Sequence, residues 1–203
     1  MRAFVSGPAF RFTLGRLALL ALTFTLPGRA NFISTLQEVS PIPTSFVFGV
    51  DQTSFQYVAA PGNGIPDTGQ ATAPLFLASN MGCNPSDFSG FPSGDIALIL
   101  RQGCTFTTKG TNAENAGASG YVVFNNFAGP LPLGALVLAA PPPGIPGVFV
   151  TNSVGLTLEG ELSNGDVVDV SLSVDSAPEP ISVALCAVAI ALALGVKRIR
   201  TLG

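Results

Sequence analysis

Few residues in this chain are able to do chemistry, and the set excludes the commonest catalytic machinery. Its 203 residues contain no histidine. A Ser-His-Asp triad or a Cys-His dyad therefore cannot be assembled, and a histidine-ligated zinc site has nothing to draw on. Carboxylates stand in close pairs, Glu159 with Glu161 and Asp166 with Asp169, as hydrolysis by carboxylates alone would need. Each pair is expected at a helix end, a turn or an exposed strand face, where solvated surface acids are the default. No Asp-x-Asp-x-Asp-Gly loop offers a calcium site. Gly62-Asn-Gly64 lacks the lysine and following helix of a phosphate cradle. What remains is Arg101, Lys109 and the cysteines Cys83, Cys104 and Cys186. No catalytic residue, metal or cofactor is assigned.

The charges are segregated. Arg2, Arg11, Arg16 and Arg29 lie in the first thirty residues, and Lys197, Arg198 and Arg200 in the last seven. Between Asn31 and Pro180 only Arg101 and Lys109 face all twelve carboxylates, a net charge of −10. Such a body repels phosphate backbones, and nucleic acid is excluded as a partner. The two isolated cations are expected to pair with carboxylates such as Asp95, Asp87 or Glu114, a structural role favoured over ligand binding by Arg101.

The elements that must position these residues are mostly short strands. Ser45–Val50 and Ser54–Val58 are candidate strands in an otherwise poorly periodic stretch, and residues 61–69 read as a loop. Ala73–Ala78 is a short strand, with Pro74 implying an edge or a strand start. Asp95–Leu100 and Gly120–Asn125 are apolar enough to be buried on both faces. Between them Thr107–Ala116 is a weak helix, opposed by Gly110 at ~1 kcal/mol relative to Ala and closed by Gly117. Residues 127–146 form a Pro- and Gly-rich excursion around Leu136–Leu138, taken as a surface loop, with Leu131–Pro146 as the candidate contact surface. Gly147–Val150 is a further strand. Thr151 or Ser153 caps a helix with Val154, Leu158 and Leu162 on one face, ended by Asn164-Gly165. Val168 to Val174 alternates as a half-exposed final strand.

Gly94-Asp95-Ile-Ala-Leu-Ile-Leu-Arg101, Gly103-Cys104-Thr-Phe106, Lys109, Ala113, Ala116-Gly-Ala118, Gly120 and Asn125 resemble the protease-associated (PA) domain. Gly82-Cys83 with Asp87-Phe88 upstream, and Ile145-Pro146, Val148–Val150 and Gly155 downstream, extend the likeness over roughly 46–174. Gln102 and Gly110 depart from the family's usual residues. The resemblance implies an α/β (α+β) fold with a barrel- or sandwich-like sheet core flanked by two short helices. PA domains accompany proteases, sorting receptors and ubiquitin ligases, where they present substrate or gate access, and need no catalytic residues of their own. Arg101, Asn125, Asn126, Leu136 and Leu138 are the candidate binding residues. A Cys83–Cys104 bridge would close a loop of about twenty residues, worth ~3 kcal/mol by chain entropy; the alternative is two free thiols.

The chain ends carry targeting signals. A basic start, the apolar run Leu17–Leu26 and small residues before position 31 read as a signal peptide over 1–30. Pro178-Glu179-Pro180, the uncharged stretch 181–196 and Lys197-Arg198-Ile-Arg200 resemble the bacterial PEP-CTERM sorting signal. That resemblance implies a transmembrane segment at 181–196, somewhat short of the ~20 residues that span a bilayer comfortably, with its basic end in the cytoplasm. It also implies processing by an exosortase-type enzyme. The organisation expected is a signal peptide 1–30, a PA domain 31–175 and a sorting tail 176–203. The function expected is a non-catalytic exported module of the envelope or extracellular matrix, binding protein, peptide or extracellular polysaccharide. The alternative is an accessory substrate-presenting subunit for a separately encoded protease. Neither is an enzyme.

Overall fold

In a computed structural model, the protein is described over residues 32–57, 68–132, 136–139 and 141–176. The strands are β1 (Phe32–Ser40), β2 (Thr44–Phe46), β3 (Gln52–Ser54), β4 (Gln56–Tyr57), β5 (Gly69–Leu77), β6 (Ile96–Leu100), β7 (Gly120–Phe124), β8 (Val137–Leu138), β9 (Gly147–Val150) and β10 (Asp169–Ser176). The helices are α1 (Phe106–Asn115) and α2 (Asn152–Asn164), with 3-10 turns at Ser79–Gly82 and Pro85–Phe88. Eight strands form one mixed sheet in the order β2-β1-β10-β5-β6-β7-β9-β3, while β4 and β8 pair in parallel beside it. This is a mixed α/β structure with a large sheet and two helices. Among the described residues no helix is long and apolar enough to cross a membrane. The expected segment at 181–196, the signal peptide and the sorting motif lie outside them.

The centre of the sheet is parallel. Leu75 to Leu77 pair with Ile96 to Leu98, all of β6 with β7, and Tyr121 to Phe124 with Gly147 to Val150. Ile96–Ile99, Tyr121–Val123 and Val148–Val150 are all but inaccessible, as continuous apolar runs covered on both faces must be. The two helices cover opposite faces of β7. Tyr121 points toward α1, where a Cβ on Gly110 would sit 2.9 Å from Cζ of its ring and run into Pro143. Phe124 points the other way, against α2 at Gly155. Gly110, expected to weaken α1, is instead the residue that lets the helix close on the sheet. Burial outweighs a propensity cost of ~1 kcal/mol. Thr105 and Thr151 cap the two helices, accepting from the backbone N–H of Thr108 and Val154, and Gly165 ends α2 at φ +90°.

Three further expectations change. β1 falls in the stretch read as poorly periodic. It is a regular strand whose inward side is Phe32, Ser34, Leu36 and Glu38, with Ile33 and Val39 facing out. Polar residues inside and apolar ones outside erase the alternation a strand normally shows. Only the first part of the predicted Ser45–Val50 strand forms; from Val47 the chain turns, with the amides of Val50 and Asp51 bonded to the Val47 carbonyl. Pro74 lies inside the sheet rather than at an edge or a strand start. It faces Asp169 where β5 leaves β10, and Leu75 then begins the pairing with β6. The far strand β3 reaches β1 through side chains. Gln52 Nε2 donates to the Ser34 carbonyl at 2.8 Å, Ser34 Oγ to Gln52 Oε1 at 2.6 Å and Ser54 Oγ to the Phe32 carbonyl at 2.7 Å. These bonds satisfy the buried polar groups of β1 and curl the sheet on itself.

Candidate functional site

The parallel strands β6, β7 and β9 end side by side, and α1 and α2 begin at the same edge of the sheet. Open α/β sheets bind ligands in the crevice beyond the carboxyl ends of such strands. Helix N-termini there add partial positive charge and backbone donors. The residues at these ends are Arg101 and Gln102 after β6, Asn125 to Phe127 after β7, and Thr151 and Asn152 after β9.

Among the described residues no carboxylate pairs with Arg101, contrary to what the sequence led one to expect. Its Nη1 donates to Asn125 Oδ1 at 3.0 Å. The guanidinium carbon lies 5.9, 5.4 and 5.6 Å from the ring centroids of Phe106, Phe127 and Phe149. Three aromatic faces thus take the place of a counterion. Phe106 belongs to a packed group with Phe55 and Phe149, at centroid separations of 5.2 and 5.8 Å, so the seat beneath the cation is rigid. Phe127, by contrast, is 52% exposed.

Asn125 is fully buried and unusually committed. Its amide N–H bonds the Val150 carbonyl at 3.1 Å, its carbonyl accepts from Asn152 Nδ2 at 2.8 Å, and its Oδ1 also accepts from the Asn126 amide at 3.1 Å. With Oδ1 occupied twice, the side-chain orientation is set. The remaining group, Nδ2, is buried and has no hydrogen-bond partner among the described residues. A buried donor left unpaired costs about 1–3 kcal/mol. Asn126 Nδ2 donates to Gln102 Oε1 at 3.2 Å and ties two strand ends together. The strand ends therefore carry guanidinium N–H groups and a helix start, with the buried Asn125 amide beneath them. They suit an acceptor such as a carboxylate or a peptide carbonyl.

The other expected residues lie elsewhere. Leu136 and Leu138 are 3% and 4% exposed and belong to the core. The excursion folds back over α1, where the Ala139 amide donates to Thr107 Oγ1 at 2.7 Å and the Gly144 amide to Glu114 at 3.1 Å. These two leucines are packing residues rather than a contact surface. Cys83 and Cys104 form the expected disulfide, with Cα atoms 5.7 Å apart. Lys109 is fully buried. Its Nζ donates to the Met81 carbonyl and sits 3.7 Å from Cys83 Sγ, so carbonyl and sulfur replace the expected carboxylate contact. Burial lowers its pKa to about 8, with the Asp87 charge opposing that shift.

The carboxylate pairs do not work as pairs. Glu161 turns inward and meets Glu38 of β1, and its Oε2 is buried without a partner. Burial first, then Glu38 and Asp166, raise its pKa. Asp169 accepts from Ser40 Oγ at 2.8 Å, while Asp166 and Glu159 stay at the surface. Sequence reasoning missed the Glu38–Glu161 contact because β1 carried no strand signal. Among the described residues no group of three or more His, Cys, Asp or Glu is arranged to hold a metal.

Residues 71–158 match the family described as PA domain, and the chain contains a PA domain. A probable leucine aminopeptidase 2 from Aspergillus fumigatus is 46% identical over 59 residues, which is 29% of this chain and 12% of that protein. An aminopeptidase from Pseudomonas aeruginosa is 51% identical over 47 residues, 23% of this chain and 9% of its own length. Among solved structures, a zinc aminopeptidase from Bacillus subtilis aligns with a TM-score of 0.55 at 24% identity, over 74% of this chain and 32% of that one. An aminopeptidase from Aneurinibacillus sp. strain AM-1 aligns at 0.56 and 22%, over 73% and 34%. The structural likeness establishes a shared fold. The chain spans about a tenth of the length of these curated relatives and about a third of the solved chains. The zinc of the Bacillus subtilis enzyme finds no ligand set among the described residues here. The match to aminopeptidases overturns the expectation of a non-catalytic module that is not an enzyme, in either form stated above. It points to a peptidase-related function.

Proposed function

We propose that this chain, which contains a PA domain, is the PA part of an aminopeptidase-type peptide hydrolase. The observation that carries the reading is its 46% and 51% identity to stretches of two aminopeptidases. Because the chain has no histidine and the described residues hold no metal cluster, the bond-breaking groups are proposed to come from outside this sequence. Within it, the donor-rich cleft of Arg101, Asn125 and Asn126 is proposed to hold a peptide by its carbonyl or carboxylate oxygens. A bound acceptor would lie against the exposed face of Phe127.

The test is to purify the tagged chain from its own cells, with whatever it is joined to, and to assay release of leucine from leucine p-nitroanilide and short peptides. Aminopeptidase activity that follows the tag supports the reading, and its absence from every active fraction ends it. Arg101→Met should raise KM more than it lowers kcat.

Export is proposed alongside, from the signal-peptide pattern over 1–30 and the PEP-CTERM-like tail with Pro178-Glu179-Pro180 and Lys197-Arg198-Ile-Arg200. The tail is proposed to hold the protein in the membrane until an exosortase-type enzyme acts at the motif. Cell fractionation with intact-mass measurement checks it; a mature chain retaining residues 1–30 and the whole tail would reject the proposal.

A further inference from the structure

Among the described residues, the backbone around the Cys83–Cys104 bridge concentrates the unusual conformations. Asn80, Met81 and Gly82 precede Cys83 with φ of +44°, +72° and +65°, and Gln102 and Gly103 precede Cys104 with +116° and +84°. Among the described residues Asn80, Met81 and Gln102 are the non-glycine residues with positive φ. Each such conformation costs of order 1–3 kcal/mol and persists only where its surroundings impose it. Here α1 supplies the surroundings. Lys109 donates to the Met81 carbonyl, and Asn112 Nδ2 donates to the Gly82 carbonyl at 3.2 Å.

The two sulfurs are not equivalent. Cys83 Sγ has the Lys109 ammonium 3.7 Å away, and Gly103 crowds it so closely that a Cβ there would sit 2.9 Å from the sulfur. Cys83 and Cys104 are both half-exposed, so the asymmetry lies in the ammonium beside Cys83. A nearby ammonium lowers the pKa of a thiol, and the lower-pKa thiol is the better leaving group in exchange. While the bridge is intact, the buried ammonium touches a carbonyl and a neutral sulfur, with the Asp87 charge acting on it as well.

We propose that the Cys83–Cys104 bridge is a thiol–disulfide exchange site, in which a dithiol reductant attacks Cys104 and Cys83 leaves as a thiolate against Lys109. The incoming thiolate forms a bond to Cys104 Sγ as the Sγ–Sγ bond breaks, and that electron pair goes to Cys83. The second thiol of the reductant, as its thiolate, then attacks the sulfur of the mixed disulfide. Cys104 is released and takes up a proton, and the reductant departs as a disulfide, oxidised by two electrons. Opening the bridge also frees the left-handed residues on either side of it. This chemistry is independent of the peptide cleft and holds or fails without it.

The experiment treats the folded full chain with glutathione, quenches in acid, alkylates free thiols and maps both cysteines by mass. The result expected is glutathione on Cys104 with alkylated Cys83, in about tenfold excess over the reverse. Replacement of the buried cation by a chain of similar length, Lys109→Met, should slow native-state reduction by dithiothreitol about tenfold. If that variant does not fold, the mapping of the unaltered chain decides alone. Adducts on Cys83, equal partition between the two, an unchanged rate in folded Lys109→Met, or a bridge that survives dithiothreitol under native conditions would each overturn the proposal.

Discussion

Arg101 keeps its charge at a strand end without a carboxylate because Phe106, Phe127 and Phe149 stand 5.4–5.9 Å from its guanidinium carbon. Arg101→Met retains the stem and removes the cation. It should lower stability by about 1–2 kcal/mol in urea unfolding, from the lost aromatic contacts and the bond to Asn125. Glu161 presents the opposite case, a charge held where charge is disfavoured. Its folded pKa is raised by burial, then by Glu38 and Asp166. The stability it contributes is therefore fully present below its unfolded pKa and is lost as pH rises through the folded value. Glu161→Gln should raise the melting temperature at neutral pH, and that gain should shrink on acidification toward pH 4. Calorimetric melts across the range check the sign; a gain that grows on acidification would contradict it.

At the scale of elements, α1 shows how packing overrides propensity. Gly110→Ala would gain ~1 kcal/mol of helix propensity in isolation. In the folded protein the new methyl meets Pro143 and the Tyr121 ring, and overpacking of this kind costs about 1–3 kcal/mol. The substitution should come out destabilising in chemical denaturation, and a net gain would mean that the excursion over α1 yields easily. β6, β7 and β9 were legible because continuous apolar runs bounded by Gly and turn residues have few alternatives to a buried strand. The helices were legible from Thr151, Gly117 and Gly165, whose capping chemistry is local; the Thr105 cap of α1 was not read. β1 was not, since Ser34 and Glu38 face inward and are satisfied by Gln52 and by the Ile42 amide, with Glu161 beside them. Only distant partners make that pattern a strand.

For the molecule as a whole, the bridge ties the turn after β5 to the loop before α1, 21 residues apart in sequence. Replacing both cysteines by serine should cost about 3 kcal/mol on the chain-entropy model. That corresponds to roughly 6–12 °C in melting temperature for a domain of this size, measurable by comparing the variant with the unaltered chain. The net charge of −10 between residues 31 and 180 and the placement of Arg101 at a strand end follow from residue types and spacing, which local chemistry constrains. The pairing of two cysteines was an expectation tied to the family resemblance. Arg101's partners, the roles of Leu136 and Leu138 in the core and the buried Lys109 beside Cys83 do not follow in this way. Each depends on contacts between segments far apart in the chain. The sequence alone determined the strand–helix–strand core around Gly94–Asn126 and the absence of histidine chemistry. Tertiary structure decided which side chains meet at the strand ends, because there burial and aromatic packing, rather than charge pairing, set the lowest-energy arrangement.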